Sequence, residues 1–110
     1  MFKEFVVKKK FSSTKYGVIF EEILKYHKRI GKKDMKEKIR IYIKVDTSYL
    51  WQSFGNVMIW DENDRKWNEI TSLTEDDFLI VKGVYDIDEI KSSIMKLRNE
   101  LLENALEIMF

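Results

Sequence analysis

The sequence predicts an α+β fold of order β-α-β-β-β-α, with an antiparallel sheet of three to four strands and two helices packed on one face. Three observations carry this expectation. Apolar residues recur at spacings of three and four through Tyr16–Ile30 and again through Ile87–Ile108, the period of an amphipathic helix. Ile39, Ile41, Ile43 and Val45 alternate with Arg40, Tyr42, Lys44 and Asp46, the period of a strand with one buried face. Two β-forming runs, Phe54–Trp60 and Trp67–Thr71, flank the polar stretch Asp61–Lys66, which suits a hairpin with a longer loop.

Taken in order, the aromatic and β-branched residues of Phe2–Lys9 read as a first strand. Ser12, Ser13 and Thr14 then offer caps to a helix whose stripe is Tyr16, Phe20, Ile23, His27 and Ile30, widened by Ile19, Leu24 and Tyr26. Glu21 and Glu22 near its start and Lys25, Lys28 and Arg29 near its end agree with the helix dipole. Gly31 is placed as its stop, and Lys32–Lys38 as a charged connector into the alternating strand. Asp46, Thr47 and Ser48 break that strand. Thr74, Glu75, Asp76 and Asp77 suggest a cap or short helical turn. Phe78–Tyr85 reads equally as an edge strand, buried helix or loop. Asp86 with Glu89 resembles a capping box, and Ile87, Ile90, Ile94, Leu97 and Leu101 open a long helix continued by Ala105 and Ile108. That helix is expected to cover the sheet, and a homodimer through it is the alternative use of its apolar stripe.

Composition narrows the chemistry. The 110 residues form one expected domain, 1–110, and 45% hydrophobic content with seven Phe, five Tyr and three Trp supplies a core. There is no Cys and one His, which excludes disulfides, thiolate metal sites and any site built on two imidazoles. No run of about 18 apolar residues is present, and a cytoplasmic location is the expectation. Charge is divided along the chain: residues 1–44 hold fourteen Lys/Arg against five Asp/Glu, and residues 45–110 hold six against fourteen. Either the fold interleaves the two halves, or it presents a basic surface to an anionic partner or an acidic one to a basic partner.

No residue set has the pattern of a catalytic site. His27 on an apolar stripe reads as a packed or boundary residue. Asp61, Glu62, Asn63 and Asp64 lack the glycine and the later glutamate of a calcium loop and read as a hairpin turn. Glu75, Asp76 and Asp77 read as a helix start. No cofactor, metal or membrane is expected, and the chain is not expected to be an enzyme. Two contact surfaces remain. Tyr49 and Trp51, beside Phe54, offer aromatic anchors for a protein partner, with Glu75, Asp76 and Asp77 as an acidic surface able to imitate phosphate charge. Lys28, Arg29, Lys32 and Lys33, flanked by Lys25, Lys36 and Lys38, offer a basic surface for nucleic acid.

The residues from Ile39 to Tyr49, then Gln52 and Ser53, then Val57–Trp60 and Trp67–Ile70 resemble a module of small phage and plasmid proteins. In that module a strand ending in Asp-Ser-Tyr is followed by Gln-Ser, a strand ending in Val-Trp and a return strand opened by Trp. Here Thr47 separates Asp46 from Ser48, a departure from the contiguous pattern. The likeness covers residues 39–70 and transfers no active-site residue. Some small phage proteins of this kind are anti-CRISPR inhibitors. The resemblance therefore implies a viral, phage-type interaction protein that evades host defence by binding a host protein, such as a CRISPR effector or another nuclease. The alternative expectation is a nucleic-acid-binding regulator that uses the basic N-terminal half.

Overall fold

Alternation of side chains governs far more of this chain than the sequence pattern suggests. In the computed structural model, which describes residues 2–15, 17–46, 53–73 and 86–109, five strands precede a single helix. They are β1 (Phe2–Thr14), β2 (Gly17–Ile30), β3 (Lys33–Asp46), β4 (Ser53–Asp61) and β5 (Lys66–Ser72), followed by α1 (Ile87–Met109). The strands form one antiparallel meander in the order β1-β2-β3-β4-β5. The expected β-α-β-β-β-α order with two helices and three to four strands is therefore corrected to five strands and one helix. The expectations for Tyr49, Trp51, Glu75, Asp76, Asp77 and Phe78–Tyr85 lie outside the described residues.

The correction centres on residues 17–30, expected to be helical. Val18, Phe20, Glu22, Leu24 and Tyr26 are all buried, so every second residue faces inward and the true period is two. A carboxylate in the middle of that series conceals the alternation. The neighbouring series Phe20, Ile23, His27 imitates a helical stripe only because Ile23 and His27 are half-buried on the opposite face. Ser12, Ser13 and Thr14 end β1 rather than cap a helix. Gly31, expected as a helix stop, is the first residue of the two-residue turn that closes Ile30 against Lys33. Its φ of 62° supplies the positive value a type II′ hairpin requires there. Lys33–Lys38, expected as connector, is the first part of β3.

The remaining elements follow the expected order. Phe2–Lys9 lies within β1, the alternating run lies within β3, and β4 and β5 enclose the two hairpin runs. Asp61 organises the β4–β5 turn by accepting hydrogen bonds on Oδ1 from the Asn63 and Asp64 amides at 2.9 and 3.2 Å. The acidic cluster there is thus turn chemistry. Asp86 caps α1, its Oδ1 accepting from the Asp88 amide at 2.9 Å.

One side of the sheet carries the core. Across the strands run the rows Phe20–Ile43–Gly55, Glu22–Ile41–Val57 and Leu24–Ile39–Ile59. Over them α1 buries Ile90, Ile94, Leu97, Leu101, Leu102 and Ala105. Ile108, expected to extend the stripe, is instead 62% exposed. Phe11 adds its ring to Phe20 at 4.9 Å. At one end of the sheet Gly17 faces Asp46, and a Cβ on Gly17 would lie 2.1 Å from the Val45 carbonyl oxygen, so the close strand approach there needs glycine.

Candidate nucleic-acid interface

The second sheet face has no helix on it among the described residues. The same alternation that sends Phe20, Leu24, Ile39 and Ile41 inward turns Glu21, Ile23, Lys25 and His27 of β2 outward, with Lys36, Lys38, Arg40, Tyr42 and Lys44 of β3. Lys8 and Lys10 of β1 extend this face on one side. Phe54, Asn56, Met58 and Trp60 of β4, with Trp67 of β5, extend it on the other. The result is a surface of cations interleaved with aromatic rings.

Its centre is neutralised internally. Glu21 accepts from Arg40 Nε and Nη2 at 2.9 and 2.6 Å and pairs with Lys8 at 2.6 Å. Arg40 also lies 5.1 Å from the centre of the Tyr42 ring, and Tyr42 meets Phe54 edge-on at 6.2 Å. Lys8 first, and Arg40 second, hold the Glu21 carboxyl below its ordinary value of 4.5.

Towards the β2–β3 turn the balance changes. Lys25 stands directly opposite Lys38, and His27 directly opposite Lys36. Two basic pairs, adjacent along one face, make an arrangement that opposes pairing of the strands wherever both members are charged. Lys38 places its ammonium 5.8 Å from the Trp60 ring and 5.6 Å from the Trp67 ring, a cation–π contact with each. Trp60 and Trp67 are cross-strand partners whose rings meet at 5.3 Å and 64°.

A notch opens beside this group because the strands differ in length. The ladder of β3 with β4 ends at Ile39 opposite Ile59, whereas β3 begins at Lys33. Its first six residues therefore have only β2 as a described partner strand. The space left past the end of the ladder is a depression of about 640 Å³, bordered by Lys25, Tyr26, His27, Lys36, Glu37, Lys38, Trp60 and Glu62. His27 Nε2 is buried there without a hydrogen-bond partner among the described residues. Burial raises the Glu37 carboxyl above 4.5.

These two carboxyls give opposite pH signatures. Glu21, lowered in the folded state, contributes stability that is present above pH 4.5 and lost as pH falls through its folded value. Glu37, raised in the folded state, opposes folding above its folded value, and that opposition fades as pH falls towards 4.5. Urea midpoints measured across acid pH are expected to show Glu21→Gln weakening the protein at neutral pH and flattening the acid limb. Glu37→Gln is expected to strengthen the protein at neutral pH. A Glu37→Gln variant with a lower midpoint at pH 7 would contradict the burial of that carboxyl.

Of the basic residues singled out in the sequence, Arg29 and Lys32 are exposed near the β2–β3 turn. Lys28 and Lys33 lie in β2 and β3, so none of the four sits at a helix end. Lys25, Lys36 and Lys38 are the ones brought together with Trp60. A second arrangement had no sequence signal: Arg98 of α1 donates from Nε at 3.1 Å, and from Nη2, to Glu22 Oε1. Glu22 Oε2 is buried with no partner among the described residues.

Charge is unevenly shared between the two sides: on α1 the exposed Asp88, Glu89, Glu100, Glu103 and Glu107 outnumber Lys96, while on the helix-free face the exposed Lys10, Lys25, Lys36 and Lys44 outnumber Asp34 and Glu69. Among the described residues no group of three or more His, Asp or Glu is placed to hold a metal ion, and no helix is long and apolar enough to cross a membrane. No family model matches the chain, and neither a curated protein nor a solved structure shows significant similarity to it.

Proposed function

We propose that this chain is a non-enzymatic nucleic-acid-binding protein that lays a single strand across the helix-free face of its sheet. The observation carrying the reading is the facing of Lys25 with Lys38 and of His27 with Lys36 beside Trp60 and Trp67. The like charges of Lys25 and Lys38 weaken the sheet where they face each other, and a polyanion on that face relieves them. Aromatic rings presented by a sheet stack on unpaired bases, whose faces a duplex keeps covered by neighbouring base pairs. Phe54, 51% exposed at the other end of the face, extends the track of rings. Capture of a host protein is what the phage resemblance implies, and Tyr49, Trp51, Glu75, Asp76 and Asp77, named for it on their own chemistry, lie outside the described residues.

Salt titration of binding to short single-stranded RNA and DNA tests the proposal. If Lys25, Lys36, Lys38 and Lys44 each contact a phosphate, log affinity falls against log salt with a slope of about −3. Lys25→Gln with Lys36→Gln is expected to halve that slope, and Trp60→Ala to cost about 1–3 kcal/mol of binding. Single strands that fail to bind in low salt, or bind with a slope the lysine variants leave unchanged, would sink the reading.

A further inference from the structure

We infer that the notch between the projecting end of the β2–β3 hairpin and the β4–β5 turn is a seat for one nucleotide. Its phosphate lies against Lys25, His27 and Lys36, and its base lies beside Trp60. This rests on the nucleic-acid reading of the same face and deepens it by naming the unit recognised.

Three features of the notch point to a base as well as a phosphate. Its volume of about 640 Å³ is more than a phosphate alone occupies. Besides Glu62 on the β4–β5 turn, the notch has one carboxylate, Glu37, that stands apart from its basic groups. Lys25, His27 and Lys36 belong to the helix-free face, whereas Glu37 is paired with Tyr26 on the helix side. A phosphate held by the three basic groups is thus directed away from the Glu37 carboxyl. Trp60 shares the helix-free face with these groups. A base resting on it therefore meets Glu37 across the edge of β3 left open among the described residues past Ile39, where the carboxylate oxygens accept hydrogen bonds from ring N–H and exocyclic amino groups. Guanine, with both donors on one edge, fits one carboxylate best. Lys38, held against the Trp60 and Trp67 rings, fixes the wall on which the base rests.

Amide-resolved NMR titration of the whole chain with GMP, UMP, guanosine and inorganic phosphate tests the assignment. GMP is expected to shift the amides of Lys25, His27, Lys36–Lys38 and Trp60, with UMP, guanosine and phosphate each binding at least tenfold more weakly. Lys25→Glu with Lys36→Glu should abolish the GMP shifts. Both side chains are exposed and Lys25 faces Lys38, so the fold tolerates the change. Glu37→Gln should erase the preference for GMP over UMP while phosphate binding persists. Phosphate binding as tightly as GMP overturns the nucleotide assignment, as does the absence of notch shifts with every probe. If single strands bind while the notch amides stay unmoved, the seat is wrong and the face reading stands. If GMP occupies the notch while single strands do not bind, the seat stands and the face reading fails.

Discussion

Replacing Arg98 with methionine is expected to lower the folding stability by about 3–5 kcal/mol, a large fraction of what a domain of this size possesses. The reason lies in where its partner sits. Glu22 is fully buried under α1, its side chain 1% exposed, and Arg98 is the cation that reaches it. Methionine approximates the aliphatic stem of arginine and removes the guanidinium, leaving the buried Glu22 carboxyl without the ion pair it makes with Arg98. The double variant Glu22→Leu/Arg98→Met removes both charges and is expected to recover most of the loss, because an apolar pair of similar volume suits this position at least as well. Urea unfolding of wild type, both single variants and the double variant supplies the cycle. An Arg98→Met protein within about 1 kcal/mol of wild type would mean that α1 does not close over Glu22.

Phe20→Ala is expected to cost about 3–5 kcal/mol, and Ile19→Ala no more than about 1 kcal/mol. Phe20 is fully buried between Phe11 and the helix, so truncation leaves a cavity as well as losing its transfer from water. Ile19, its neighbour in sequence, is only half-buried on the opposite face. The contrast between adjacent positions is diagnostic of a period of two. In a helix both side chains would lie on the same broad stripe. Equal losses at 19 and 20 in urea unfolding would therefore contradict the strand assignment for residues 17–30.

Those residues also show what sequence patterning can and cannot disclose. Ile39–Val45 was legible as a strand because every inward position is an aliphatic residue. So was the hairpin of β4 and β5, whose turn chemistry at Asp61 is local. The terminal helix was legible from its cap and its long apolar stripe. β2 was not, because one of its inward positions is Glu22, and the cation that justifies a carboxylate there is 76 residues away. A long-range ion pair leaves no local trace, and without it the alternation reads as broken. The error passed to the site. With β2 taken as a helix, Lys25, His27, Lys36 and Lys38 belonged to a helix end and a connector, and nothing set them opposite one another. The basic character of the first half was legible. The register that sorts these four onto one face is a property of the β2–β3 turn at Gly31.

The separation of charge between the two sides has a consequence for crowding. A molecule with acidic groups along its helix and basic groups on its sheet behaves as an electric dipole, and the field of a polyanion turns it before contact. If it seats as proposed, it presents Glu100, Glu103 and Glu107 outward, replacing the covered negative charge with its own. Another copy approaching from above meets repulsion, while bare strand alongside still attracts. On the proposed reading, coverage of a long strand is therefore expected to stop at one layer.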